Sequence, residues 1–365
     1  MRVAFLANAS SVHTQRWAQA LLDRGHEIHV LTGQRPPSSP VGSHVWELPF
    51  PSPWGYVANA FHVRRFLRRL QPALLHTHYA SGYGLLSRLV GFHPSVLSVW
   101  GSDVFVFPDK SGLHRRTIRK NLEAADIVCS TGHVIARRTR QLCGDIRASE
   151  VTPFGVDLAR FSAVPGRPRG NTLTVGTVKT LERNYGIDLL LRAFAHARST
   201  IALGDAALAK SMRLLIVGGG RERRSLEELA GKCGISDVSD FVGPVPHDVV
   251  PTYLHKLDIY CALSRSESFG VAVLEASACG LPVVVSDVGG LPEVVVDGAT
   301  GLVVERENLA AAAEAITRLA LTPAMRTLMG QAGRTHVREN YDWNDSVTIM
   351  ENVYEKAARR VKSAA

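Results

Sequence analysis

Short apolar, β-branched runs alternate with longer stretches of helical periodicity along the whole chain. VAFLA (3–7) predicts a strand, residues 14–24 a helix stopped by Gly25, and EIHVLT (27–32) the next strand. The pattern continues through ALLHTH (73–78), a small-residue helix over 82–90, SVLSVW (95–100), a helix over 112–125 and DIVCST (126–131). It then starts afresh with LTVGT (173–177), a helix over 186–198, RLLIVGG (213–219), a helix from 221, VSDFVG (238–243), DIYCALS (258–264) and PVVVS (282–286). Strands that alternate with helices predict parallel, doubly wound sheets, so the fold class is α/β. Between the two series lies VTPFGVDLARFSAVPGRPRG, rich in Pro and Gly and without periodicity, which predicts a linker over 153–170. Two domains are also what 365 residues suggest.

Composition excludes several classes. Apolar runs are broken by Gly, Pro or charge well before the roughly 18 residues of a membrane span. MRVAFLANAS reads as a buried first strand rather than a signal peptide, which implies a cytoplasmic protein. The 5 cysteines are scattered and form no CxxC pair, so free thiols are expected and a zinc site is not. The triplet Gly218-Gly219-Gly220 is followed by Arg-Glu-Arg-Arg, without the third glycine that a dinucleotide dehydrogenase needs.

Charge is unevenly placed. Residues 1–160 hold 19 Lys and Arg against 10 Asp and Glu, whereas the remainder holds 23 of each, so the whole net charge of +9 sits in the first half. Clusters occur at Arg64, Arg65, Arg68 and Arg69, at Arg115, Arg116, Arg119 and Lys120, and at Arg137, Arg138 and Arg140. With Phe61, Phe66 and Leu67 beside the first cluster, an anionic membrane surface or anionic acceptor is one reading; solvated helix faces are the other. No nucleic-acid-binding motif accompanies the charge.

The chemistry concentrates in SRSESFGVAVLEASACG (264–280), where two acids, Glu267 and Glu275, flank an apolar helical start. The segment follows a strand's carboxyl end, where open α/β sheets bind ligands. A first helical turn offers free N–H groups to a diphosphate. A carboxylate inside the helix offers several lone pairs in one plane to the vicinal hydroxyls of a ribose. Taken singly, Glu267 is equally a helix-capping acid and Glu275 a buried, paired one.

Taken together, Glu267, Glu275, Cys279-Gly280-Leu281-Pro282-Val283-Val284, Gly289-Gly290-Leu291-Pro292-Glu293, Gly298 and Gly301-Leu302-Val303-Val304 closely resemble the donor segment of the retaining glycosyltransferases of family 4 (group 1), which have the GT-B fold. The likeness extends to Pro153-Phe154-Gly155-Val156-Asp157 and to the N-terminal SSVHTQRWAQALLDRGHEIHVLT, and so covers essentially the whole chain. It implies two facing Rossmann-like domains: an acceptor-binding domain over 1–160 and a nucleotide-sugar-binding domain over 161–340. Residues 341–365 would cross back to the first. It also implies sugar transfer with retained configuration and no metal or other cofactor. A UDP-sugar is the favoured donor. A saccharide or lipid-linked saccharide of cell-surface polysaccharide assembly, such as lipopolysaccharide, is the favoured acceptor, and a soluble small molecule the alternative. No nucleic-acid partner is implied.

Residue by residue, the resemblance gives Glu275 the ribose, Glu267 the donor sugar's hydroxyls, and Ser268, Phe269 and Gly270 the distal phosphate through their backbone. Gly218, Gly219 and Gly220 would leave room near the base, which Val242 and Gly243 would line. Gly289-Gly290 would be a supporting turn. The chain also departs from the family. Thr177 stands where an Arg is common, and Asn184-Tyr185 where a Lys is common, which leaves Lys179 as the principal phosphate ligand with Arg183 as its partner. Trp100 replaces a His near the reacting centre, so Asp103 and His78 become candidates to approach the acceptor hydroxyl and Trp100 could stack on a sugar. The first loop reads Asn8-Ala9-Ser10-Ser11-Val12-His13-Thr14 in place of a glycine pair, with His13, Thr14 and Arg16 as further hydrogen-bonding groups. A sugar-nucleotide epimerase shares the two-lobed architecture but not the donor segment, and a ligand-binding module without chemistry would call for a signal peptide.

Overall fold

The computed structural model describes residues 1–34, 42–163 and 172–364, so 164–170 of the expected linker lie outside the described residues. The chain forms two compact units. One comprises Met1–Pro153 with Asn344–Ala365, the other Phe154–Trp343. The division falls at the start of the Pro- and Gly-rich segment rather than at 160.

The first unit holds a parallel sheet of β1 (Arg2–Leu6), β2 (Glu27–Thr32), β3 (His44–Glu47), β4 (Leu74–His78), β5 (Ser95–Val99), β6 (Ile127–Ser130) and β7 (Ser149–Val151), in the order β3-β2-β1-β4-β5-β6-β7. Val3 pairs with Ile28 on one side and with Leu74 on the other. β4, β5 and β6 are buried along their full length. Burial on both sides reflects a sheet covered on both faces, and in β4 it extends to the polar His76, Thr77 and His78. One face is covered by two apolar clusters, one around Leu97, Val99, Ile118 and Leu122 and one around Leu6, Val63, Leu67 and Leu86, while the other face carries the fully buried Phe5, Val30, Val96 and Ile127.

The second unit repeats the plan with β8 (Leu173–Val178), β9 (Met212–Val217), β10 (Ser239–Gly243), β11 (Ile259–Ala262), β12 (Val283–Ser286) and β13 (Gly301–Val304), again all parallel, in the order β10-β9-β8-β11-β12-β13. In both sheets the order reverses beside the first strand, between β1 and β4 and between β8 and β11. That reversal is the topological switch point at which α/β sheets open a crevice for ligand.

The final helix, Trp343–Ala364, belongs with the first unit from Asn344 onward. Glu351 bonds Arg24 at 2.5 Å and His26 at 2.8 Å, and Lys356 pairs with Glu150. The fully buried Tyr354 hydroxyl meets His76 Nδ1 on β4 at 2.7 Å, while His76 Nε2 meets Ser98 at 2.8 Å. Burial drives the His76 pKa down to about 3, so the ring is neutral. A buried ring nitrogen left without its partner costs about 1–3 kcal/mol, so this bond helps fix where the helix returns. All 5 cysteines are free, and all but Cys233 are buried.

Candidate active site

Lys179 directly follows β8, and Glu267 lies on the loop that follows β11, so the two strands at the second unit's switch point deliver them side by side. Lys179 Nζ is 2.5 Å from Glu267 Oε2, with the two side chains only 12% and 13% exposed. Burial works against the ammonium charge, but the Glu267 carboxylate and neighbouring Tyr260 more than offset it and hold the Lys179 pKa up. The ammonium also lies 4.5 Å from the ring centre of Tyr185. A buried cation without such partners would neutralise instead.

Backbone packing holds both loops in place. Gly218 has φ +145°, and a Cβ there would come within 1.9 Å of the Lys179 carbonyl oxygen. Leu181 N–H donates to the Gly219 carbonyl at 2.9 Å. The room at Gly218 and Gly220 is therefore filled by the 179–181 backbone and that at Gly219 by the Pro244 ring, which revises the expectation that Gly218, Gly219 and Gly220 clear space for a base. Gly289, with φ +53°, would place a Cβ 1.8 Å from the Glu267 carbonyl oxygen, and Gly290 N–H donates to that oxygen at 3.1 Å. The Gly289-Gly290 turn thus supports the loop that presents Glu267.

The helix Val271–Ala278 follows, with Gly270 at its N-cap (φ +108°). Phe269 is buried against Phe154 and Tyr341, so its ring anchors the turn and its backbone alone is left to face a ligand. Ser268 is half-buried. Glu275 is 6% exposed, and its Oε1 meets His247 Nε2 at 2.8 Å. Val242 is half-buried and Gly243 buried at the end of β10. The Gly243 carbonyl accepts from Gly218 N–H at 2.9 Å, which ties the β9 and β10 loops together.

Arg183 does not join Lys179. It is exposed on the short turn Arg183–Tyr185. That turn is held by Arg265, which donates to the Arg183 carbonyl and to both oxygens of Asp188 at 2.7–2.8 Å. Thr177, at the position of the common Arg, is fully buried in β8. Three residues escaped the sequence reading: His247, Arg265 and Tyr260. Tyr260 is fully buried, with its hydroxyl bonded to the Val178 carbonyl and its pKa pushed up to about 12 by burial. Pro-Val-Pro before His247 and a lone Arg between two serines were the available signals. Tyr260, on an apolar strand, gave none.

In the first unit the expected acceptor-side residues are reassigned. Asp103 is 1% exposed, and its carboxylate accepts from the backbone N–H groups of Ala80 (2.8 Å), Gly101 (2.9 Å) and Trp100 (3.2 Å). Burial raises its pKa although these amides pull the other way. Asp103 joins the loops after β4 and β5 and does not present its carboxylate to an acceptor. His78 is likewise 1% exposed, bonded through Nδ1 to Thr14 at 3.0 Å and packed on Phe5, His76 and Trp100. Burial, with His76 and His13 adding to it, depresses its pKa well below the usual imidazole value. Trp100 is 7% exposed and sits against His13, His78 and Tyr79, so it fills core volume rather than offering a face to a sugar. His13 is half-buried at the start of the helix Val12–Asp23. Among the described residues no group of three or more His, Cys, Asp or Glu is placed to hold a metal ion.

Two parallel Rossmann-like units, one with a carboxylate pair and a buried lysine at its switch point, define a GT-B architecture. Residues 163–336 match the sequence model described as glycosyl transferases group 1, and residues 2–132 the model described as glycosyl transferase 4-like. The GDP-mannose-dependent alpha-(1-6)-phosphatidylinositol monomannoside mannosyltransferase of Mycolicibacterium smegmatis is 31% identical over 277 residues, covering 71% of this chain and 69% of that protein. The D-inositol 3-phosphate glycosyltransferase of Salinispora arenicola is 34% identical over 226 residues, covering 57% of this chain and 49% of that protein, about half its length. Among solved structures, sucrose-phosphate synthase from Thermosynechococcus elongatus superposes over 100% of both chains with a TM-score of 0.83 at 21% identity, a likeness of fold. The chain belongs to the group 1 glycosyltransferase family.

Proposed function

We propose that the protein transfers a hexosyl group from a nucleoside diphosphate sugar to a saccharide or lipid-linked saccharide, with retained anomeric configuration and no requirement for a metal ion. The observation that carries this reading is the Lys179–Glu267 pair beside the helix that bears Glu275. Such a reaction asks little covalent chemistry of the protein. It needs the donor held still and the charge that develops on the leaving diphosphate stabilised. Lys179 supplies a cation with its own counter-ion, Glu267, from which it transfers to phosphate when donor arrives. The freed Glu267 carboxylate then accepts from the sugar hydroxyls. N–H groups of the first turn of Val271–Ala278 face the diphosphate, and Glu275 takes the ribose. The smegmatis relative is named for GDP-mannose, which makes that donor the first to try. The uridine favoured by the sequence has behind it structures with UDP or UDP-glucose at 15–18% identity, a likeness of fold.

The acceptor reading rests on the first unit, where arginines and exposed aromatics lie together on residues 50–69. No helix among the described residues is long and apolar enough to cross a membrane. A peripheral position on an anionic, cytoplasm-facing membrane, within cell-surface polysaccharide assembly, suits such a surface.

Thermal stabilisation by UDP, GDP, ADP and their sugars tests the donor assignment, because a ligand of the folded state raises the midpoint as ln(1 + [L]/Kd). One nucleotide class should stabilise the wild type and leave Glu275→Ala unshifted. No shift from any nucleotide would remove the donor assignment.

A further inference from the structure

The loop that leaves β10 reads Gly243-Pro244-Val245-Pro246-His247. Two prolines bracket one residue, and Pro246 has the extended φ of −59° and ψ of 146° that ends the loop in a fixed direction. The Pro244 ring packs against Gly219, which leaves 3.2 Å for a Cβ there. His247 therefore enters its short turn, His247–Val249, from a stiff approach. Its ring lies 5.6 Å from the ring of Phe161 and is 35% exposed, and its Nε2 is 2.8 Å from Glu275 Oε1.

A carboxylate only accepts, so the hydrogen of this bond is on Nε2. The bond uses one oxygen of Glu275; Oε2 carries no hydrogen bond among the described residues. We infer that His247 is a positioning residue for nucleotide binding. Its Nε2–H donates to Glu275 Oε1 and sets the carboxylate plane so that Oε2 is aimed at the vicinal hydroxyls of the ribose. This rests on the assignment of Glu275 to the ribose. It adds a second consequence: the end of β10 carries Val242-Gly243, expected at the base, and the loop that leaves it carries the residue that orients the ribose ligand. Base and ribose recognition are thereby coupled through a Pro-Val-Pro strut.

The test compares Kd values for GDP and UDP with those for their 2′-deoxy counterparts, by calorimetry, on wild type, His247→Ala, His247→Gln and Glu275→Ala. The Gln amide nitrogen can take the place of Nε2 as donor. His247→Ala should weaken the ribonucleotide about tenfold, the size of one charge-assisted hydrogen bond. It should leave the 2′-deoxynucleotide within about twofold, and His247→Gln should stay within about threefold of wild type for both. In turnover the loss should appear in donor KM and not in kcat, because the ribose is remote from the reacting carbon. If His247→Ala binds like wild type, or weakens both sugars equally, while Glu275→Ala abolishes ribose discrimination, the positioning role is wrong and the ribose assignment survives. If Glu275→Ala itself leaves ribose discrimination intact, the ribose assignment fails and the inference falls with it.

Discussion

At the scale of residues, the site is built around a buried charge that is never left alone. Lys179 and Glu267 are nearly enclosed, and removing one member of such a pair leaves the other charge uncompensated, which is costly. Phosphate can take over the carboxylate's place without exposing the ammonium to an apolar surround. Lys179→Ala should therefore weaken binding of the nucleoside diphosphate by about tenfold and lower kcat by about 10²–10³, the range found when a group that stabilises developing negative charge is deleted. Arg183, exposed and held only through its carbonyl, should tolerate Ala with less than about threefold change in kcat. Steady-state kinetics on the two variants decides the matter: equal losses would contradict the placing of the phosphate clamp on Lys179 alone. The same scale explains why Asp103 and His78 read as catalytic in sequence although both are buried and bonded within the fold. An acid or imidazole at a strand end reads identically in sequence whether its partners are substrate or the fold, and here backbone amides take Asp103 and the Thr14 hydroxyl meets His78.

At the scale of elements, the helix Ala60–Leu70 divides its residues cleanly. Val63 and Leu67 face the core and Phe66 packs on Trp46, whereas Phe61 stays 67% exposed beside Arg65, Arg68 and Arg69. Of the three apolar residues that flanked the arginines in the sequence, only Phe61 is offered to a partner. The segment just before it adds Trp54 at 83% exposed and Val57 at 56%. Arg64 is bound to the carbonyls of Leu89 and Val90, at the end of the helix Gly82–Val90, and so is committed to the fold. Arginines with an exposed Trp and Phe on one short segment suit the headgroup region of an anionic bilayer. The protein should pellet with vesicles rich in anionic lipid at low salt and be released at high salt, where screening shortens the reach of the charges. A Trp54→Ala/Phe61→Ala double variant should pellet less than wild type. Pelleting that ignores salt and both substitutions would favour the soluble acceptor.

At the scale of the molecule, much of the plan was legible because most strands buried on both faces are apolar runs. Glu27–Thr32 falls on the predicted bounds, and Leu74–His78, Ser95–Val99 and Val283–Ser286 within a residue of them. The strands missed were β3 and β7, short, partly exposed edge strands whose sequences HVWE and SEV alternate too little to stand out, and β13. The donor segment was legible because its glycines and acids keep fixed spacing for a local reason: Gly289, Gly290 and Gly301 each let one backbone pass another. Contacts made across long stretches of chain were not. His247 lies 28 residues before Glu275, and Tyr354 lies 278 after His76, so nothing local announces either pair.

The measurement that bears most directly on the whole account is turnover itself. The nucleotide sugar selected by binding, with GDP-mannose tried first, is incubated with lipid-linked and soluble saccharide acceptors in the presence of EDTA. Release of nucleoside diphosphate and the anomeric configuration of the product are then read, the latter by NMR. Transfer that persists in chelator and keeps the donor's configuration is the result the account predicts. An inverted product, or turnover that vanishes with chelator and returns with a divalent ion, would contradict it.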